Sequence, residues 1–288
     1  MKSENRPHIE IIEVGPRDGL QNEKGLASLE TKIEFIEDLI VAGVRTIELG
    51  SFVREDKVPQ MAKTKELYQH FKNRSLSFPC LVPNMKGLEL ALAAGVKEIA
   101  LFSAVSETFN LKNINSSIEE SFKTYELVAK KALNAGMKIR SYLSCVFGCP
   151  YEGEVSLKKT KELSQRFLSM GAYEVSLGDT IGIGKPTQVV TLLEELLKTL
   201  LPNQLALHLH DTYGRAIENI QASLPYKIFR FDSSTGGLGG CPYAQGATGN
   251  VATEKVIELF DRLGLATGID RQKIILAGEK LKRAIKVS

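Results

Sequence analysis

The sequence predicts an α/β protein: a single (β/α)8 barrel of the TIM type over residues 1–288, with an extra C-terminal helix. Two observations carry that expectation. Eight short runs rich in β-branched residues, at 9–14, 45–49, 77–82, 98–103, 138–146, 173–177, 205–210 and 228–232, alternate with stretches of helical periodicity. Regular alternation means parallel strands, and eight units close most naturally into a barrel of about 250 residues. The second observation excludes the alternative. A doubly wound open sheet usually carries a glycine-rich turn after its first strand, whereas here the first run leads into Gly15-Pro16-Arg17-Asp18-Gly19, with no G-x-G-x-x-G.

The helices between the runs have their own signals. Leu29, Ile33, Ile36 and Ile40 recur at helix spacing, as do Ile118, Phe122, Tyr125 and Val128. Ser116 and Ser117, followed three residues later by Glu119 and Glu120, give a capping-box start to the second of these. Val190, Leu193, Leu197 and Leu200 form another stripe, and Val256, Leu259, Phe260 and Leu263 a last one. Gly43, Gly95, Gly136 and Gly171 each stand just before a strand, as helix C-caps do. No linker, low-complexity tract or shift in composition divides the chain.

Composition excludes several classes. The 37 basic and 34 acidic residues nearly cancel, to +3, and no dense basic run with interleaved aromatics suggests a nucleic-acid surface. Four cysteines, Cys80, Cys145, Cys149 and Cys241, are too few for a disulfide framework in 288 residues, so reduced thiols are expected. The C-x3-C pair at Cys145 and Cys149 lacks the second pair that a zinc knuckle needs. Residues 1–8 are mixed in charge without an apolar stretch, so no signal peptide is expected. No segment reaches the roughly 18 apolar residues of a membrane span, and the final residues carry no peroxisomal or prenylation signal. A cytoplasmic protein is the expectation.

In a barrel of this kind the chemistry sits at the carboxyl ends of the strands. Polar residues at those places are Arg17, Asp18, Glu48, Asn84, Ser103, Ser144, Cys145, Asp179, His208, His210, Asp232, Ser233 and Ser234. His208 and His210 are the sharpest pair. Residues two apart on a strand share a face, and two inward imidazoles make half of a metal site; the alternative is a pair of hydrogen-bonded core histidines. Asp18 is the natural anionic ligand from across the barrel mouth, or else a turn residue before Gly19. Asn250 offers a neutral oxygen, or else an N-cap for a helix from Val251. Two imidazoles, a carboxylate and an amide suit Mg2+ or Mn2+ without excluding Zn2+ or Co2+.

Arg17 beside that set suits an enolate or carboxylate, and Glu48, costly to bury alone, is its expected partner. The loop 236–246 is dense in glycine, as expected of one that closes over substrate. Its Cys241 is a nucleophile, an acid or a packing residue. Gly178-Asp179-Thr180-Ile181-Gly182-Ile183-Gly184-Lys185-Pro186 has the look of a phosphate loop but carries Pro186 where Ser or Thr is required, so an NTPase is rejected.

Four ordered motifs now resemble one family. They are 13–23 (EVGPRDGLQNE), 144–153 (SCVFGCPYEG), 208–214 (HLHDTYG) and 237–244 (GLGGCPYA), and they resemble 3-hydroxy-3-methylglutaryl-CoA lyases from about the first strand to the last helix. Isopropylmalate and homocitrate synthases share the Arg-Asp pair and the H-x-H, but their last loop reads G-x-G-E-R-A-G-N, without cysteine. Residues 48–52 and 102–104 depart from the commonest family phrasing, which bears on substrate specificity and leaves the metal set intact.

The resemblance implies cleavage of an acyl-CoA to acetoacetate and acetyl-CoA, with metal on Asp18, His208, His210 and Asn250 and substrate on Arg17 and Gln21. It implies catalytic parts for Arg17, His208, Cys241 and Glu48, with Asp179 orienting one of them. A homodimer acting in leucine breakdown is implied by family alone.

Overall fold

The computed structural model describes residues 8–239 and 249–286. Its strands are β1 (Glu10–Glu13), β2 (Thr46–Ile47), β3 (Gly50–Ser51), β4 (Cys80–Leu81), β5 (Glu98–Ala104), β6 (Lys138–Ser144), β7 (Glu174–Asp179), β8 (Leu205–Leu209) and β9 (Arg230–Ser233). Its helices are α1 (Leu29–Val41), α2 (Thr64–Phe71), α3 (Met85–Ala94), α4 (Glu107–Ile114), α5 (Ile118–Asn134), α6 (Leu157–Ser169), α7 (Pro186–Leu196), α8 (Ala216–Ser223), α9 (Thr253–Arg262) and α10 (Arg271–Lys286). All strand pairings are parallel, in the order β2-β1-β9-β8-β7-β6-β5-β4-β3.

The two ends of that order, β2 and β3, are halves of one strand. Its first half pairs with β1 and its second with β4, and a parallel bridge from Thr46 to Ser77 joins the two sides. The sheet therefore closes on itself as the eight-stranded barrel expected, with α10 as the additional helix packed on α1.

The second strand is broken where the sequence suggests one run over 45–49. Leu49 N–H donates to the Pro79 carbonyl, but Pro79 has no N–H to give back, and the ladder is interrupted there. The same proline shortens the run expected over 77–82 to Cys80–Leu81. The run expected to reach residue 146 stops at Ser144, because Cys145 turns to φ +63°.

The helix signals hold in detail. Ser28, Asn84, Ser106, Ser117 and Ser156 each accept a first-turn N–H as N-caps, and of the two candidate boxes the structure uses Ser117 with Glu120. Gly43, Gly95, Gly136 and Gly171 all have positive φ, which permits the tight exit from helix to strand. The third stripe is out of phase with expectation. The face of α7 that packs inward is Val189, Leu192, Leu193 and Leu196, while Leu200 is buried from the loop beyond the helix end. In α9, Leu263 falls at the C-cap and is exposed. Among the described residues no helix is long and apolar enough to cross a membrane.

The barrel interior is charged. Arg140, fully buried, donates to Glu174 at 2.6 Å and Asp232 at 2.5 Å, and its remaining nitrogen reaches the Tyr142 hydroxyl at 2.7 Å. Arg140 is in register with Glu174 on β7, whereas Asp232 reaches it from β9 and is itself in register with His208 on β8. Buried charges survive only when paired and hydrogen-bonded in this way.

Candidate metal centre and active site

Three of the strand ends converge at the barrel mouth. The first is a π-helical turn, Gly15–Gly19, which carries Arg17 and Asp18 directly after β1. The second is β8, whose last buried residues include His208, with His210 just beyond in a bridge to Asn250. The third is the segment from Asn250 to Ala252, laid beside the end of β9 through a Ser234–Ala252 bridge.

One ligand atom from each of Asp18, His208 and His210 lies within 4.8 Å of the others, and the two imidazole centroids are 5.6 Å apart. Asn250 Nδ2 donates to Asp18 Oδ2 at 2.8 Å, which leaves the amide oxygen out of that bond. The helix that follows starts at Thr253 with Ala252 as its cap, so Asn250 is not an N-cap.

The electrostatics separate the roles. Burial alone would raise the Asp18 carboxyl, but Arg17, His208 and His210 around it hold it far below the usual range. Burial and the neighbouring His208 lower His210 to about 4, so at neutral pH its ring is uncharged and able to bind a cation. Its Nδ1 is buried with no hydrogen-bond partner among the described residues. His208 is pushed the other way: against its burial, the bond to Asp232 and the charge of Asp18 raise it.

Arg17 and Glu48 pair as expected, Nε to Oε2 at 2.7 Å, both side chains buried. Arg17 Nη1 also reaches Asp18 Oδ1 at 2.5 Å, and the guanidinium lies 5.2 Å from the centre of the Tyr142 ring. Neither bond uses Nη2. Gln21 follows this turn, half-buried. Cys241 lies outside the described residues.

The Asp179 carboxylate accepts the N–H groups of Ile183 at 3.1 Å and Gly184 at 2.9 Å, in its own loop, and among the described residues it bonds neither Arg17 nor His208. Burial raises it to about 6 against those bonds. The same bonds take the backbone donors a phosphate would need, in keeping with the rejected NTPase loop.

The orienting carboxylate is Asp232, which sequence reasoning placed at a strand end without a role. Its Oδ2 receives His208 Nδ1 at 3.1 Å and the Ser176 hydroxyl at 2.6 Å, while Oδ1 is held by Arg140. Nδ1 of His208 therefore carries the proton toward Asp232, and Nε2, 3.7 Å from Asp18, faces the cluster. The available signal was the period-two set of polar residues in neighbouring strands: Arg140 and Tyr142, Glu174 and Ser176, Arg230 and Asp232. Asp232→Asn is expected to weaken Mn2+ binding about 10- to 100-fold with the fold retained. Calorimetric titration giving the wild-type Kd would remove Asp232 from that part.

Comparison with known proteins agrees with this geometry. The HMGL-like family model matches residues 8–280. The chain is 48% identical over 278 residues to the mitochondrial hydroxymethylglutaryl-CoA lyase of Macaca fascicularis, covering 96% of this chain and 86% of the relative. It is also 48% identical over 279 residues to the cytoplasmic 3-hydroxy-3-methylglutaryl-CoA lyase of Rattus norvegicus, covering 96% and 81%. The crystal structure of hydroxymethylglutaryl-CoA lyase from Pseudomonas aeruginosa superposes with a TM-score of 0.94 at 45% identity, over 99% of this chain and 96% of that one. Sequence and fold are shared across nearly all of its residues, and the chain belongs to the hydroxymethylglutaryl-CoA lyase family.

Proposed function

We infer that the chain cleaves 3-hydroxy-3-methylglutaryl-CoA to acetoacetate and acetyl-CoA, using a divalent cation, Mg2+ or Mn2+. The observation that carries this reading is one cluster at the barrel mouth in which Arg17 adjoins Asp18, and Asp18 adjoins His208, His210 and Asn250. The donor set fits a cation: an ionised carboxylate, a neutral imidazole with an orphaned buried nitrogen, a second imidazole fixed from behind, and an amide. Asp18, His208, His210 and Asn250 would hold it. When bound, it supplies Lewis acidity to a substrate hydroxyl and carboxylate.

The reaction removes the proton of the tertiary hydroxyl, breaks the adjacent C–C bond and leaves its electron pair as the enolate of acetyl-CoA. One proton returned to the enolate carbon closes the balance. Arg17, clamped by Glu48, presents Nη2 to the thioester oxygen where the charge collects. His208 would act at the hydroxyl as a ligand of that cation, its Nδ1 proton held on Asp232 and its Nε2 toward the cluster, and the hydroxyl proton leaves to solvent. Delivery to the enolate is assigned to Cys241, and Gln21, which follows the Arg17 turn, is assigned a substrate contact. A cytoplasmic homodimer in leucine breakdown belongs to the same proposal, and the sedimenting mass tests the dimer.

The deciding experiment supplies 3-hydroxy-3-methylglutaryl-CoA with Mg2+ or Mn2+, then with chelator. Acetoacetate released only with the metal is the expected result. A folded protein that binds Mn2+ and releases none would turn the reading to condensation of 2-oxo acids with acetyl-CoA. Cys241→Ser is expected to slow turnover with the melting temperature unchanged, and a fully active variant would reduce the thiol to packing.

A further inference from the structure

One buried carboxylate has no place in the chemistry above. Glu13, at the end of β1, is wholly inaccessible and has no cationic hydrogen-bond partner among the described residues. Four neutral donors saturate it. Oε1 takes the N–H groups of Gly15 at 2.9 Å and Thr235 at 2.8 Å, and Oε2 takes the hydroxyls of Thr235 and Thr253, both at 2.7 Å.

Those donors come from three segments far apart in sequence, and two of the segments carry ligands. Gly15 opens the turn that ends with Asp18 in reach, and Thr253 follows Asn250 by three residues. Thr235 lies at the end of β9, against which both are packed: Val14 N–H donates to Ser233, Ser234 N–H to Val251, and Thr253 N–H to Ser234. The turn is pressed tightly onto these neighbours at each end. A Cβ on Gly15 would sit 2.5 Å from Glu13 Oε1, and one on Gly19 would sit 2.5 Å from Ser234 Oγ.

We propose that Glu13 is a positioning residue for the metal ligands, a buried spacer that sets where Asp18 stands relative to Asn250. The proposal rests on the metal reading given above. Its working part is reach and hydrogen-bond pattern. Burial raises the carboxyl to about 7 against its four donors, so negative charge is weakly held there. A neutral amide of the same length can keep the pattern. The Gly15 and Thr235 N–H groups would donate to its oxygen, and the threonine hydroxyls would turn to accept from its nitrogen. Thr253 already has Ser233 Oγ at 2.8 Å as an alternative partner for its own proton.

The test therefore uses two opposed substitutions, with Mn2+ alone as probe and its Kd read by titration calorimetry on the full chain. Glu13→Gln keeps the length and loses the charge; Glu13→Asp keeps the charge and shortens the reach. Expected are a Kd for Glu13→Gln within about 3-fold of wild type and one for Glu13→Asp weakened about 10-fold or more, the scale of groups that orient metal ligands. The reverse order, or wild-type affinity in Glu13→Asp with only the metal-free melting temperature lowered, overturns the proposal. Should Glu13→Asp not fold, Thr253→Val takes its place: a Kd raised several-fold supports the spacer and an unchanged Kd overturns it. Wild-type protein that binds no Mn2+ sinks the metal reading itself, and the proposal with it.

Discussion

Asp18→Ala is expected to weaken Mn2+ binding by at least about 100-fold, and acetoacetate release should fall with it. The magnitude follows from what the carboxylate supplies. It is the one carboxylate in the cluster of possible ligands among the described residues, and the charges of Arg17 and His208 hold it well below the usual carboxylate range. The fold should tolerate the change. Arg17 keeps Glu48, and Asn250 Nδ2 keeps the Leu238 carbonyl at 3.2 Å, so neither neighbour is left without a partner. Calorimetry and a thermal melt of the same preparation separate the outcomes. An unaltered Mn2+ affinity would take Asp18 out of the ligand set.

Arg17→Gln should do the opposite to the two observables. Turnover is expected to drop about 100- to 1000-fold, the usual effect of deleting one donor aimed at developing negative charge. The Mn2+ affinity should change only several-fold, because Asp18 retains its contacts with Asn250 and the imidazoles. Stability must be followed alongside, since removing one member of a buried ion pair can cost about 3–5 kcal/mol. Glu48 has a way to limit that cost: burial already pushes its carboxyl up, and without Arg17 it takes a proton. A kcat near wild type in the folded variant would leave Arg17 as no more than a clamp on Asp18.

The alternation of runs was enough to read the barrel, and the H-x-H spacing was enough to read half of the cluster. Periodicity reports which residues face inward, and His208 at the end of β8 and His210 two residues on bring their rings to within 5.6 Å of each other. Asp18 and the Arg17–Glu48 pair were legible because a lone buried charge needs a partner. Which of two carboxylates at neighbouring strand ends turns to His208 was not legible. Asp179 and Asp232 differ in register, and register is a pairing between strands that no single strand encodes. The break in the second strand was hidden for a similar reason, since Pro79 acts on its neighbour's ladder and not only on its own. Glu13 stood in the sequence only as the first residue of the 13–23 motif, without a role of its own. Its meaning depends on Thr235 and Thr253, more than 200 positions away.

That separation bears on how the protein is made. Asp18 and Asn250 touch although 232 positions apart in sequence, and β1 reaches its neighbour β9 only once the last strand exists. During synthesis the turn after β1 emerges first and waits, through seven further strands, for the rest of the centre. A chain stopped after α8 would contain both histidines and yet lack the Asn250 contact, so on the proposed reading the metal site would be completed only in the final stage of folding. Contacts this distant slow folding, because the whole loop must be ordered before they repay it. On the proposed reading, a divalent cation held there would act as a latch on the finished ring, slowing reopening of the β1–β9 seam by mass action without hastening its first closure.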